Sequence, residues 1–157
     1  KKLTMNICGY FHGKNADNIR NIFFNQIKAL KEKGIYVSYL GHVDELTLEK
    51  FISISDLCIS PQLIDNQFSK YCFPSKILKY LSFGSCVLSS NLDAIKNTEI
   101  SKLIYTYISD KPEEIANTLK KIIPEIEQDM TAKKDFIFKN MNNMDKLFSN
   151  QIKGLFQ

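Results

Sequence analysis

The chain has 157 residues, of which 44% are apolar and 24% are charged, and its net charge is +4. This composition is typical of an ordinary globular protein, and the length is sufficient for a single domain with a real core. Arg20 is the only arginine, so lysine supplies the positive charge. Readers of nucleic-acid sequence rely on guanidinium groups at base edges, so no nucleic-acid partner is expected.

The first third of the chain predicts two strands separated by a helix. "LTMNICGYF" (3–11) is an apolar strand that ends near Gly9, and "IYVSYLG" (35–41) is a second strand rich in β-branched and aromatic residues. Between them, Gly34 ends an amphipathic helix as a C-terminal cap. The apolar positions of that helix are Ile19, Ile22, Phe23, Ile27 and Leu30.

The middle of the chain continues the alternation. "DELTLEKFISIS" predicts a second helix, and "DLCISP" (56–61) predicts a third strand that Pro61 stops. After a polar loop, a short helix is predicted from about Pro74 to Phe83, with Ile77, Leu78 and Leu81 on its inward face. "SCVLSS" (85–90) then predicts a fourth strand.

The last third predicts one more strand and a helical end. "KLIYTYIS" (102–109) is a fifth strand, and a helix follows with Pro112 in its first turn. Pro124 is expected to kink or break that helix. From about Ala132 onward the sequence predicts one or two further helices as a C-terminal tail.

Short strands that alternate with helices indicate βαβ units, and therefore an α/β fold with a Rossmann-like, doubly wound parallel sheet. We predict that residues 1–157 form one domain of this kind. Ligands of such sheets bind beyond the carboxyl ends of the strands. The loops after residues 9, 41, 61 and 90 should therefore form the binding edge.

The cysteines indicate a reduced, cytoplasmic protein. Cys8, Cys58 and Cys86 lie in short apolar runs, where cysteine behaves as a small hydrophobic residue. No CxxC pair or cysteine–histidine cluster has zinc-binding spacing, so neither a metal nor a cofactor is predicted. No apolar stretch reaches about 20 residues and no signal peptide opens the chain, so no membrane span is expected.

Three lysines surround the start of the predicted short helix. Lys70, Lys76 and Lys79 lie around "CFPSKILKY". Cations are unfavourable at a helix N-terminus, which carries unpaired N–H groups and a partial positive charge. One interpretation is a cradle for a diphosphate, with Lys76 beside the phosphates. The other is a solvated lysine face, because a charge placed against the helix dipole costs only about 0.3–1 kcal/mol.

The run "SDLCISP", polar loop, "FPSKILKYLSFGSCVLSS" resembles the carboxyl-terminal half of retaining GT-B glycosyltransferases of glycosyltransferase family 4. Upstream, "NICGY" and "VSYLGHVDELTLEKFISISDL" fall where that family has a glycine after a strand and an "FLG-x-V" element. The resemblance covers roughly residues 3–125 and is most specific over 72–90. It implies one half of a GT-B fold that binds a nucleoside diphosphate sugar.

The resemblance implies roles for particular residues. The main-chain N–H groups of Phe73, Ser75 and Lys76 would cradle the diphosphate, and the backbone of His42 and Val43 would contact the nucleobase. Gly9 would allow close approach of the ligand, although a plain turn glycine remains the alternative. No catalytic residue is assigned within the chain. The residues predicted to bind the donor are Gly9, His42, Val43, Tyr71, Cys72, Phe73, Pro74, Ser75, Lys76 and Lys79.

This sequence departs from the family pattern at two glutamates, which fall on Tyr71 and Lys79. The family's first glutamate holds hydroxyls of the donor sugar and its second holds the ribose. Tyrosine can still hydrogen-bond a sugar, but lysine cannot accept a hydrogen bond from a ribose hydroxyl. A degenerate module that binds a nucleotide sugar without catalysis, or that acts as a scaffold, therefore stays open. A nucleotide-sugar epimerase is disfavoured because those enzymes keep an acidic residue at the ribose position.

The chain also starts too late for two elements that the resemblance implies. The family's "Gly-Arg" strand end and following lysine, which hold the diphosphate, are missing, and so is the amino-terminal acceptor-binding domain. We therefore expect a part of a longer bacterial enzyme for surface polysaccharide synthesis, inactive by itself. The full-length protein is expected in the cytoplasm, with peripheral contact at the inner face of the membrane.

The tail carries a helical apolar stripe. It consists of Ile137, Met141, Met144, Phe148, Ile152 and Leu155, and Phe136, Leu147 and Phe156 widen it. In GT-B enzymes the last helix crosses to the other domain, so the resemblance implies an exposed apolar patch along 136–157. The alternative is that the stripe packs on the sheet of this domain.

Overall fold

The computed structural model describes residues 3–64 and 73–155, with side chains up to residue 146. Among these residues, all strands that pair with one another run parallel. Strand β1 (Thr4–Cys8) pairs with β2 (Tyr36–Gly41). A separate sheet has the order β3 (Leu57–Ser60), β4 (Cys86–Ser90) and β5 (Tyr105–Tyr107). The fold is thus mixed α/β with two small parallel sheets.

Six α-helices lie in the described part of the chain: α1 (Ala16–Glu32), α2 (Glu45–Ile54), α3 (Ser75–Ser82), α4 (Asp93–Lys96), α5 (Pro112–Gln128) and α6 (Met130–Leu155). The chain divides into two compact units, residues 1–50 and residues 51–157. The first unit contains β1, α1, β2 and the start of α2. The second unit contains the remaining elements.

The first unit has no fully buried side chain among its described residues. Its two strands are about 5 Å apart, so they offer α1 only a narrow surface to cover. Ile19 and Ile22, predicted on the apolar face of α1, are each 50% exposed. Aromatic rings pack together in this unit, and Phe11 and Phe23 lie with ring centroids 5.3 Å apart.

The hydrophobic core lies in the second unit, because a three-stranded sheet there is covered by α3, α5 and α6. Strand β4, which was predicted from "SCVLSS", lies in the middle of this sheet and is buried along its whole length. The largest fully buried side chains are those of Tyr107, Ile77, Leu81, Leu88 and Ile95.

The fifth strand is much shorter than predicted, and the expectation for its first half was wrong. Residues Glu99–Leu103 form a 3₁₀ helix. Local bonds favour that turn, because the Ser101 hydroxyl donates to the Thr98 carbonyl over 2.7 Å and Lys102 pairs with Glu99. Side-chain bonds of this local kind compete with strand pairing.

A kink or a break was predicted at Pro124, and the break was wrong. Helix α5 continues through Pro124 and ends at Gln128, before α6 begins at Met130. Proline removes one N–H donor, but Pro124 and Lys120, whose carbonyl would have received it, are both exposed. Water can satisfy that carbonyl, so the helix is not forced to end there.

The tail is one long helix, and the described part of its apolar stripe packs on the core of its own unit. Ile137 is buried, and Met141 and Met144 are partly buried against the same cluster. The alternative of packing on the chain's own sheet therefore holds for these three residues. Phe136 and Phe138 remain exposed. The side chains of the stripe from residue 147 onward lie outside the described residues.

A polar cluster joins β5, α5 and α6. The Tyr105 hydroxyl donates to Glu125 Oε1 over 2.9 Å, and Lys133 Nζ donates to both Glu125 and Tyr105. Burial raises the pKa of Tyr105, whereas the bond from Lys133 lowers the pKa of Glu125. This cluster ties the strand to both C-terminal helices.

We expect Tyr105→Phe to lower the free energy of unfolding by about 1 kcal/mol, because it removes one partner while Lys133 and Glu125 stay paired. Urea unfolding measures the change. Tyr10→Phe is the control, since that ring is 72% exposed and its variant should differ by less than about 0.5 kcal/mol. Equal losses in the two variants would contradict the role of the cluster.

Two buried thiols, Cys58 and Cys86, are expected to make the stability fall at alkaline pH. Burial raises the pKa of Cys58 and of Cys86 above that of an ordinary thiol. The unfolded chain loses these protons from about pH 8.5 while the folded chain still keeps them, so stability should fall as pH rises through that range. Cys58→Ala/Cys86→Ala should show a shallower decline between about pH 8 and 10 in urea unfolding. A slope identical to that of the parent chain would refute this assignment.

Candidate functional site

The N-terminus of α3 is the first part of the candidate site. Pro74 precedes the helix, is buried and adopts extended angles, and within the described residues no side chain caps the helix start. The Ile77 N–H bonds back to the Pro74 carbonyl over 3.0 Å, and Ser75 and Lys76 precede it on the exposed first turn. Such an uncapped terminus can accept an anion.

The position of α3 is fixed by its buried face. Ile77 and Leu81, four residues apart, are both completely buried, and Phe73 packs against the same core. Leu78 was predicted on this inward face, but it is 41% exposed. Leu78 lies about 100° around the helix from Ile77 and about 60° from Leu81, so it stands at the edge of the buried face, where its side chain reaches solvent.

The two lysines of α3 have different settings. Lys76 is exposed in the first turn, where its charge opposes the helix dipole. Lys79 is half-buried and lies in the last turn, where a cation is favourable. The helix dipole therefore favours the position of Lys79 and disfavours that of Lys76. Lys70, Tyr71 and Cys72, also predicted around this site, lie outside the described residues.

Buried serines at the carboxyl ends of β3 and β4 were not singled out from the sequence. The Ser89 hydroxyl donates to the Ser60 carbonyl over 3.2 Å, and Ser90 Oγ accepts the Gln62 N–H over 3.1 Å. These bonds hold the backbone that leaves β3 toward the polar loop. The signal in the sequence was "SS" at the end of an apolar strand, since hydroxyls at buried positions must find partners.

The loop after β3 is also held from the side of β5. Asp110 Oδ2 accepts the Ile64 N–H over 2.8 Å. Burial raises the pKa of Tyr107, and a hydrogen bond with Ser90 offsets part of that rise. The carboxyl ends of β3, β4 and β5 are thereby joined on the side where the polar loop begins.

In the first unit, the loops after β1 and β2 meet as predicted for parallel neighbours. The Gly9 N–H donates to the Gly41 carbonyl over 2.8 Å, and the Tyr39 hydroxyl donates to the Gly9 carbonyl over 2.6 Å. Gly9 has φ +145° and Gly41 has φ +66°, which favour glycine. A Cβ atom on either residue would meet nothing within 4 Å, so open space lies above this turn.

His42 follows directly, and its exposed ring approaches that of Tyr10 with centroids 6.2 Å apart. Val43 is half-buried. Asp44 caps α2, because its carboxylate accepts the Thr47 N–H over 2.9 Å and the Thr47 hydroxyl over 2.7 Å. The hydrogen bonds from the Thr47 side chain and backbone lower the pKa of Asp44.

The described residues contain no group of three or more histidine, cysteine, aspartate or glutamate side chains that could hold a metal ion. None of the described helices combines the length and the apolar character that crossing a membrane requires.

Comparison of the chain with models of known protein families gives no match, and comparison with curated protein sequences gives none either.

Proposed function

We propose that the chain is the donor-binding half of a retaining glycosyltransferase, which transfers a sugar from a nucleoside diphosphate sugar to a glycan or lipid-linked acceptor. The observation that carries this proposal is the start of α3, which no described side chain caps and where exposed Ser75 and Lys76 follow buried Pro74. The "FPSK" run of the family resemblance coincides with this element. The setting is bacterial surface polysaccharide synthesis in the cytoplasm, with peripheral contact of the full-length enzyme at the membrane.

The parallel pairing of the strands supports the fold that belongs to this proposal. Strand β1 pairs parallel with β2, and β3, β4 and β5 form a parallel sheet. Parallel strands that alternate with helices are typical of Rossmann-like, doubly wound folds. We therefore propose that the chain has a fold of this class.

The proposed chemistry is stabilisation of the leaving diphosphate without a metal. Main-chain N–H groups of Phe73, Ser75 and Lys76 bind the phosphates, and the Lys76 ammonium adds a charge-assisted hydrogen bond. Preorganised donors of this kind stabilise the negative charge that develops as the sugar leaves. The nucleobase is assigned to the loop of His42 and Val43, where Gly9 leaves space.

A second candidate function is a nucleotide-sugar-binding module without catalysis. Lys79 favours it, because this residue stands where the family has the ribose-binding glutamate and cannot accept a hydrogen bond. Its place in the last turn of α3 also gives it a stabilising role without any ligand. Both candidate functions include binding of the nucleotide sugar, so only sugar transfer to an acceptor distinguishes them.

Calorimetric titration with UDP-, GDP- and ADP-linked sugars tests donor binding. The proposal predicts heat with one of them, whereas a pure scaffold gives none with any. Transfer is tested separately, and the isolated chain is expected to be inactive because the acceptor site lies in the other half. Activity should return when an acceptor-binding domain is supplied, and binding without restored transfer would favour the module. Sugar transfer by the 157-residue chain alone would overturn the proposal that the acceptor site lies in another domain.

A further inference from the structure

We propose that Tyr10, flanked by His12 and His42, is a stacking platform for a nucleobase at the carboxyl ends of β1 and β2. This inference rests on the proposed function and deepens it. It assigns side chains to a contact that the family resemblance places on the backbone of His42 and Val43. It concerns only the first unit of the chain.

The three rings form an exposed group. The centroid of the Tyr10 ring lies 6.2 Å from that of His12 and 6.2 Å from that of His42, with interplanar angles of 82° and 73°. These are edge contacts, which aromatic rings favour over direct face-to-face pairing. Tyr10 is nevertheless 72% exposed, so most of its ring surface stays open to a ligand.

The backbone beneath the rings is fixed. Gly9, the neighbour of Tyr10, donates its N–H to Gly41, the neighbour of His42, over 2.8 Å. The Tyr39 hydroxyl holds the Gly9 carbonyl, and Tyr39 is itself packed against Phe11 and Phe23. The three rings are therefore carried by a hydrogen-bonded turn next to an aromatic cluster. This fixed backbone reduces the conformational entropy that is lost on binding.

The chemistry of the group fits a planar heteroaromatic ring. Imidazole nitrogens and a phenol hydroxyl can donate to or accept from the edge of a base. Stacking on an aromatic ring is also tolerant of which base is bound, because every base has a π face.

Amide NMR titration of the 157-residue chain with adenosine, guanosine and uridine tests the platform. Signals of Tyr10, His12 and His42 should shift with at least one nucleoside. Tyr10→Ala should weaken that binding about 5- to 150-fold, while Tyr10→Phe should retain it. Phe136→Ala, which removes an exposed ring from the second unit, is the control and should bind like the parent chain.

Inorganic pyrophosphate separates this inference from the proposed function. Nucleoside shifts at Tyr10 without any pyrophosphate shift at Lys76 would support the platform and overturn the proposed phosphate site. Nucleoside diphosphate binding at Lys76, with no change in affinity on Tyr10→Ala, would overturn the platform alone. Shifts at Tyr10 with free glucose and none with nucleosides would identify a carbohydrate site and also overturn it.

Discussion

Gly84→Ala is expected to lower the free energy of unfolding by about 2–4 kcal/mol, the sum of a backbone cost and a packing cost. Gly84 has φ +68°, a left-handed conformation that costs other residues about 1–2 kcal/mol. A Cβ atom there would also lie 2.6 Å from Cε2 of Phe138, so the ring would have to move. Gly84 links α3 to β4, and Phe138 belongs to α6. The contact between Phe138 and Gly84 therefore helps to hold α6 against α3, the helix of the candidate site.

Gly34→Ala is the matched control, since Gly34 has φ +76° and no atom within 4 Å of an added Cβ. It should show the backbone cost of about 1–2 kcal/mol alone. Urea unfolding of Gly84→Ala in a Phe138→Ala background isolates the clash, because removal of the ring should reduce the cost to the Gly34 value. A Gly84→Ala loss no greater than that of Gly34→Ala would show that Phe138 does not restrict this position.

Lys76→Ala is expected to weaken nucleoside diphosphate binding by about one to two decades. One charge-assisted hydrogen bond contributes about 1.5–3 kcal/mol, and each 1.4 kcal/mol is tenfold in affinity. The side chain is exposed in the first turn of α3 and makes no ion pair with any described residue. Its removal should therefore leave the fold intact, which a urea unfolding curve of the variant checks.

Lys79→Ala is the control on the same helix, and it should change nucleotide affinity much less than Lys76→Ala. Calorimetry with the same nucleotide compares the two variants directly. Unchanged affinity in Lys76→Ala together with lost binding in Lys79→Ala would reverse the assigned roles. Lys79→Glu restores the acidic residue of the family pattern, and tighter binding would indicate that the ribose contact has been lost in this chain.

Elements with a local cause could be predicted from the sequence. The apolar spacing of α1 and the glycine after it gave the helix and its end, and the alternation of strands and helices gave parallel pairing. The 3₁₀ turn at Glu99–Leu103 was missed because its local side-chain bonds compete with an apolar pattern that also fits a strand. The continuity of α5 through Pro124 was missed because it depends on the solvent exposure of that turn, which cannot be determined from the sequence.

The candidate site shows more clearly which contacts cannot be predicted from the sequence. The sequence placed Gly9 and His42 at one edge, because the loops after parallel neighbouring strands lie together. It did not reveal the Tyr10 ring contacts, the Asp110 bond to Ile64 or the contact of Phe138 with Gly84. Each joins residues through the angles of loops and side chains, which a periodic pattern does not specify.

Amide NMR mapping of the chain with UDP, GDP and ADP tests the central claim most directly, because it reports both binding and location. The account predicts that one nucleotide shifts the signals of Phe73, Ser75, Lys76 and Ile77 at the start of α3, and that Lys76→Ala reduces these shifts at equal nucleotide concentration. Absence of shifts at α3 with all three nucleotides, or shifts confined to α5 and α6, would contradict it.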